Sequence, residues 1–220
     1  MRVLVVGGSP EGVSAGLVGS LAKGCDASVA VDRGLDPLLE AGRTPDLFCG
    51  DADSVSSAGA ALVRAAEEGV GADVAAFFEV ERYNPAKDYT DLSLALRAIG
   101  DRWPGAELVC TGLAGGRPDH FLGCMGRLLS WEGEVELHED GYEGRILHAA
   151  SGWDIEGAVG CRFSFVPLSE AVEVSIEGMQ WTLDHRSCEL LSDLGISNVI
   201  TDDPARILCH AGAIAAWVFR

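Results

Sequence analysis

Basic residues are scarce in this chain, which has 16 Lys and Arg against 34 Asp and Glu and a formal net charge of -18 at pH 7. Nucleic acids and anionic membranes are held through patches of Lys and Arg, so this balance argues against either as a partner. A small anionic substrate held through a metal is still allowed. Long hydrophobic runs are also missing, because no stretch approaches the roughly 20 apolar residues that span a membrane. The short apolar run at 2–6 predicts a first strand and not a signal peptide.

Cysteine pairs and standard phosphate loops are absent as well. The seven cysteines include no C-x-x-C spacing, and most of them lie in apolar runs. This pattern predicts buried free thiols in the cytoplasm and argues against structural zinc. The segment Gly7-Gly8-Ser9 has neither the spacing of a G-x-G-x-x-G fingerprint nor the Lys-Ser/Thr of a Walker loop. It predicts a plain strand-to-helix turn.

The first half alternates short apolar strands with longer helical patterns. Such alternation predicts a Rossmann-like α/β domain over 1–131, with a mostly parallel sheet and helices on both faces. The predicted strands are 3–6, 27–31, 47–49, 74–78 and 108–111, and the predicted helices are 13–23, 36–41, 58–68, 92–99 and 121–129.

The pattern changes after Trp131, where short apolar segments are separated by turn residues. Predicted strands at 134–138, 145–149, 162–166 and 172–176 favour an all-β sandwich domain over 132–220. The last apolar stretch, 206–219, is broken at 210–212. It predicts a closing hairpin, and a helix is the alternative because Ala-rich segments are ambiguous.

Carboxylates collect where the strands of the first half end. Asp51 and Asp53, in Gly50-Asp51-Ala52-Asp53-Ser54, directly follow the third strand. Ligands of open parallel sheets bind beyond the carboxyl ends of the strands, where Asp91 and Asp119 are also expected. Carboxylate oxygens are the ligands that Mg²⁺ prefers, usually together with phosphate oxygens and water. The sequence therefore predicts a Mg²⁺–phosphate site at this edge.

Two basic residues lie in the same loops. Thr90 could simply cap a helix, and Pro118 and Asp119 suit the first turn of another. Those interpretations leave Lys87 and Arg117 unexplained, and both suit polyphosphate oxygens. The expected chemistry is phosphoryl or diphosphoryl transfer, in which positioning and charge neutralisation are the main contributions.

Several motifs occur in an order that resembles one family. The chain resembles bacterial thiamine pyrophosphokinases (thiamine diphosphokinases) over nearly its whole length. The matching elements are Asp32-x-Gly34, Pro45-Asp46-x-x-x-Gly50-Asp51-x-Asp53-Ser54, Lys87-Asp88-x-Thr90-Asp91, Gly115-Gly116-Arg117-x-Asp119-His120 and Gly195-Ile196-Ser197-Asn198.

The resemblance implies a domain that binds ATP and Mg²⁺, followed by a β-sandwich that helps to bind thiamine. It implies a homodimer whose active sites lie between the catalytic domain of one subunit and the β domain of the other. The implied reaction transfers the diphosphoryl group of ATP to the thiamine hydroxyl and releases AMP.

The resemblance also implies roles for individual residues. Asp51, Asp53 and Asp91 would hold Mg²⁺, and Asp119 would join them and is a candidate acceptor of the thiamine proton. Ser197 and Asn198 would lie near thiamine. The remaining nucleotide- and phosphate-binding positions would be Asp32, Gly34, Ser54, Lys87, Thr90, Gly116, Arg117 and His120, the last in a supporting role.

Trp181 is a thiamine candidate on chemical grounds, because an indole can stack on a thiazolium ring with some cation–π gain. A Trp in the sandwich core is the alternative.

Two positions depart from the family pattern: Arg33 replaces a usual Gly, and Ala52 replaces a usual large apolar residue. A related diphosphokinase acting on a hydroxymethylpterin, and a non-catalytic nucleotide or thiamine binder, are the alternative functions.

Overall fold

A computed structural model describes residues 1–69, 78–84 and 88–220 of the chain. The chain forms two compact units. The first unit contains Met1–Gly133 and His138–Asp140, and the second contains Glu134–Leu137 and Gly141–Arg220. The sequence predicted a single boundary near residue 131. In the structure, the chain passes from one unit to the other after Gly133, after Leu137 and after Asp140.

The first unit is built on a parallel sheet. Strand β1 pairs with β2 and with β5, β2 pairs with β3, and β3 pairs with β4, all in parallel. The strands are β1 (Arg2–Val6), β2 (Ala27–Val31), β3 (Leu47–Gly50), β4 (Glu79–Arg82) and β5 (Glu107–Thr111), and the helices are α1 (Ala15–Ala22), α2 (Leu35–Glu40), α3 (Ser57–Glu68), α4 (Asp91–Arg102) and α5 (Pro118–Leu129). The predicted strand at 74–78 lies mostly outside the described residues.

Both faces of this sheet are covered, as predicted. Leu4 and Val6 pack with Val18 of α1, Leu38 of α2 and Val63 of α3 in one core cluster. Alternate strand residues point to the opposite face, and these are also fully buried, while α4 contacts β2 and β3. Strands buried on both sides have continuous apolar sequences, which explains why β1 was readable from the sequence.

The second unit consists of antiparallel strands that pack into a sandwich, which confirms the predicted fold class. One set of neighbours runs β12-β9-β14-β7 and the other β11-β10-β13-β8, and Phe163, Phe165, Ile207 and Ile214 lie in the core of the unit. Strand β6 (Val135–Glu139) has residues in both units. The other strands of the second unit are β7 (Tyr142–His148), β8 (Ser151–Ile155), β9 (Arg162–Pro167), β10 (Val172–Glu177), β11 (Leu183–Cys188), β12 (Asn198–Val199), β13 (Ala205–Ala211) and β14 (Ala213–Phe219).

The C-terminal stretch is extended, but it does not form the predicted hairpin. Strand β13 pairs with β8 and β10, whereas β14 pairs with β7 and β9 in the other sheet. Gly212 between them has a φ of 73°, and a Cβ there would lie 2.6 Å from the Ser169 hydroxyl. The chain therefore turns a tight corner from one sheet into the other. Among the described residues, no helix has the length and hydrophobicity that a membrane crossing requires.

Candidate active site

A cleft of about 790 Å³ lies at the carboxyl ends of the parallel strands of the first unit. Its walls come from the loops after β1, β2, β3 and β5 and from the start of α4. Residues on these walls include Ser9, Asp32, Asp51, Asp53, Asp91 and Arg117. The cleft thus lies where ligands of open α/β sheets are expected.

Three carboxylates converge in this cleft. One oxygen from each of Asp32, Asp51 and Asp53 lies within 4.8 Å of the others. Asp32 directly follows β2 and Asp51 directly follows β3, and these two strands are parallel neighbours. The sequence predicted Asp32 at the nucleotide and Asp51 and Asp53 at the metal. In the structure, all three carboxylates lie together.

The loop after β3 has its own hydrogen bonds. The backbone N–H of Asp53 donates to Oδ1 of Asp51 at 3.1 Å, and the hydroxyl of Ser54 donates to Oδ2 of Asp32 at 2.8 Å. Ala52 between the two aspartates has a φ of 60°, in the left-handed region. This tight turn brings both Asp51 and Asp53 to the same side of the loop.

The electrostatics of Asp32 fit a cation site. Burial raises the pKa of Asp32, and the carboxylates of Asp91, Asp51 and Asp53 raise it further, against the Ser54 hydrogen bond that lowers it. Within the described part of the chain, its buried Oδ1 has no hydrogen-bond partner. A hard divalent cation would supply that partner and offset the repulsion, and an all-oxygen donor set suits Mg²⁺.

Helix α4 brings a fourth carboxylate to the cleft. The side chain of Thr90 caps the helix by accepting the N–H of Ser93 at 3.2 Å, and Asp91 follows in the first turn. The cap interpretation of Thr90 therefore holds, and the same cap fixes where Asp91 enters the cleft.

Arg117 and Asp119 pair with each other at the start of α5. The guanidinium of Arg117 donates to the two oxygens of Asp119 at 3.1 and 2.5 Å, and both side chains are exposed. The hydrogen bonds from Arg117 lower the pKa of Asp119 to about 2. Arg117 and His120 line the cleft.

The predicted glycines have backbone roles. A Cβ on the buried Gly34 would lie 1.9 Å from the carbonyl oxygen of Val6, so only glycine allows this approach to β1. Gly116 has a φ of 66°, and its N–H donates to Oε1 of Glu11 at 3.3 Å. Lys87 lies outside the described residues.

The thiamine candidates lie in the second unit, and two of them are in contact. The buried side chain of Asn198 accepts the N–H of Trp181 at 3.1 Å and donates to its carbonyl at 2.7 Å. The indole of Trp181 is 57% exposed, so it does not fill the sandwich core. Ser197 is exposed, has a φ of 63°, and donates its N–H to Ser164 at 3.0 Å.

Two carboxylates that the motifs did not identify hold loops of the cleft. Glu139 accepts backbone N–H groups from the loop after β5, and Asp140 accepts the N–H and hydroxyl of Ser14 at the start of α1. The only signal available in the sequence was an acidic pair, Glu139-Asp140, next to the turn residue Gly141.

The fold and this site define a class: two-domain α/β proteins with an acidic cleft at the carboxyl edge of a parallel sheet and an attached β-sandwich. Residues 18–137 match the family model "Thiamin pyrophosphokinase, catalytic domain", and residues 155–214 match "Thiamin pyrophosphokinase, vitamin B1 binding domain". The chain belongs to the thiamine pyrophosphokinase family.

Individual relatives agree with this assignment. A thiamine pyrophosphokinase of Bacillus subtilis (strain 168) is 30% identical over 174 residues, which cover 77% of this chain and 76% of the relative. A crystal structure of thiamine pyrophosphokinase from Bacillus subtilis is 26% identical with a TM-score of 0.79, covering 100% of this chain and 99% of that chain. A crystal structure of thiamin pyrophosphokinase from Geobacillus thermodenitrificans is also 26% identical with a TM-score of 0.79. The match covers 100% of this chain and 98% of that chain.

Proposed function

We propose that this protein is a thiamine diphosphokinase, which transfers the diphosphoryl group of ATP to the hydroxyl of thiamine and releases AMP. The observation that carries the proposal is the convergence of the Asp32, Asp51 and Asp53 carboxylates in the cleft. Three carboxylates this close can hold a cation, and a cation at a phosphate site is what ATP chemistry needs. Membership of the family supplies the acceptor.

Mg²⁺ is the proposed metal, held by Asp51, Asp53 and Asp91, and Asp32 is an additional ligand on the geometry of the carboxylate group. When bound, the ion neutralises phosphate charge and stabilises the charge that develops during transfer. The protein contributes a fixed set of oxygens. The Ser54 hydroxyl orients Asp32, and the cap at Thr90 orients Asp91.

Arg117 and Lys87 are the proposed phosphate contacts, and Gly34, Gly116 and His120 complete the nucleotide side. Arg117 is a planar cation at the cleft wall, and its pair with Asp119 holds its fork in one orientation. We assign Asp119 to orienting Arg117, because the two side chains are joined by two hydrogen bonds.

Trp181, Ser197 and Asn198 are the proposed thiamine contacts. The exposed indole of Trp181 offers a face for a cationic ring, and Asn198 fixes its backbone from both sides. From the family resemblance we propose a homodimer with active sites at the subunit interface. All seven cysteines are free thiols, which supports a cytoplasmic location.

The direct test is to supply purified protein with ATP, Mg²⁺ and thiamine and to quantify AMP and thiamine diphosphate. Thiamine-dependent AMP is the expected result. AMP formed only with a hydroxymethylpterin would favour the related diphosphokinase, and nucleotide binding without AMP would favour a non-catalytic binder. The Asp51→Asn variant should lose far more of its turnover than of its folding stability, and full activity in it would contradict the metal assignment.

A further inference from the structure

Glu139 occupies an anion-binding loop with its own side chain. It is the last residue of β6, and its carboxylate accepts three successive backbone N–H groups, from Gly112 at 3.2 Å, Leu113 at 3.0 Å and Ala114 at 3.2 Å. Successive N–H groups that converge on one point form a nest, the backbone arrangement that binds anions such as phosphate. Here the anion in the nest belongs to the protein.

The same loop is held from its other side by the loop after β1. The N–H of Ser9 donates to the carbonyl of Gly112 at 2.9 Å, and the N–H of Gly116 donates to Glu11 at 3.3 Å. Arg117, which lines the cleft, follows Gly116 directly. Arg117 lies only three residues after Ala114, so a displacement of the Gly112–Ala114 segment would also displace Arg117.

A gain in folding stability does not explain why a carboxylate occupies position 139. Burial raises the pKa of Glu139, and the three N–H donors only partly oppose this effect. A carboxyl group whose pKa is raised by folding contributes its full stability below the usual pKa of Glu, and this contribution is lost as the pH rises through the raised pKa. The three N–H donors therefore do not fully offset the burial of this carboxyl group.

We propose that Glu139 is a positioning residue for the phosphate end of the site: by filling the nest at Gly112–Ala114 it fixes the loop that presents Arg117 and His120. Because Glu139 fills the nest, the substrate phosphates cannot bind the loop amides, and they bind the cation and Arg117 instead. The identity of the substrate in this inference rests on the proposed function.

The test compares Glu139→Gln with Glu107→Gln, which makes the same change at the exposed start of β5. Glu139→Gln should raise KM for ATP about tenfold, because a phosphate contact is misplaced. Its kcat should fall less than its affinity for ATP. Hydrogen exchange at the amides of Gly112, Leu113 and Ala114 should become faster. Glu107→Gln should change none of these quantities.

A second variant, Glu139→Ala, empties the nest. Sodium acetate should slow the exchange of the three amides and lower KM for ATP, whereas sodium chloride at equal ionic strength should not. An unchanged KM and unchanged amide exchange in Glu139→Gln would overturn the inference. If the unmodified protein makes no thiamine-dependent AMP, the proposed function fails. Amide exchange and its response to acetate then still decide whether Glu139 positions the loop.

Discussion

Asp32 is held in a conformation and an environment that both oppose folding. It is a non-glycine residue with a φ of 52°, and its carboxylate is partly buried beside three others. Left-handed backbone costs a residue with a side chain roughly 1 kcal/mol. Such strain and repulsion at one residue are typical of functional sites, where stability is given up for binding.

Asp32→Asn should therefore stabilise the metal-free protein, because it removes one charge from the group. In a domain of this size, about 1 kcal/mol corresponds to a rise in Tm of about 2–4 °C. The same variant should bind Mg²⁺ more weakly. Thermal melts in EDTA and with added Mg²⁺ measure both effects.

Asp36→Asn is the matched control for this change. Asp36 accepts the N–H and the hydroxyl of Ser56, so its neutral variant should lower Tm in EDTA. A fall in Tm for Asp32→Asn would contradict the assignment of repulsion to Asp32.

His185, in the second unit, provides a test of local electrostatics. Its Nδ1 lies 2.7 Å from Oε1 of Glu173, and its ring stacks on His210 with the centroids 3.9 Å apart. The hydrogen bond that it donates to Glu173 and the charges of Glu173 and Asp184 raise the pKa of His185. A raised histidine pKa stabilises the fold at low pH, and the gain is lost as the pH rises through that pKa.

An NMR titration should therefore find the pKa of His185 above its usual value, and Glu173→Gln should bring it down. The loss of stability in that variant should be larger at pH 5 than at pH 8. An equal loss at both values would mean that the pair acts through packing alone.

Helices α3 and α4 begin with the same kind of cap but differ in what they carry. Ser56 accepts the N–H of Gly59 at 3.1 Å, and Thr90 accepts the N–H of Ser93 at 3.2 Å. Asp91 of the cleft is the first residue of α4, while α3 begins with Ser57.

Thr90→Ala and Ser56→Ala should each lower the free energy of unfolding by about 1 kcal/mol. Only Thr90→Ala should also reduce turnover, because the first turn of α4 fixes Asp91. Denaturant melts and the AMP assay on both variants check this, and equal turnover in the two would remove the proposed link between the cap and the site.

The elements that were predictable from sequence are those with a strong apolar pattern. Strand β1 is buried on both faces and its sequence is entirely apolar after Arg2. Strand β11 was missed because it is mostly polar and exposed from Asp184 to Ser187. The connection between β13 and β14 could not be predicted. It is a hairpin or a corner depending on which strands each of them pairs with, and the sequence does not show those partners.

The site shows the same limit. The Asp51 and Asp53 pair was visible because both residues lie in one motif, and Asp32 joins them because β2 and β3 are neighbours. Glu139 could not be found by a motif, since its partners are backbone amides that any residue supplies.

At the scale of the whole molecule, the net charge of -18 sets the response to ions. Self-repulsion destabilises a compact state, and salt screens it. We expect Tm to rise with sodium chloride, and to rise further with Mg²⁺ at matched ionic strength because a bound ligand stabilises by mass action.

Asp51→Asn separates the two effects. The variant should keep the response to sodium chloride and lose most of the additional response to Mg²⁺. An unchanged Mg²⁺ response would show that the ion acts through screening and not through the carboxylate group.

Strand β6 belongs to both units, with residues up to Leu137 in the second and residues from His138 in the first. A fragment that stops at residue 131 would end before Glu139 and Asp140, and the loops after β1 and β5 would lose the carboxylates that hold them. Chimeras that exchange the sandwich between relatives should therefore join the sequences after Asp140. The carboxylates that hold these two loops thus lie beyond the point where the sequence pattern changes.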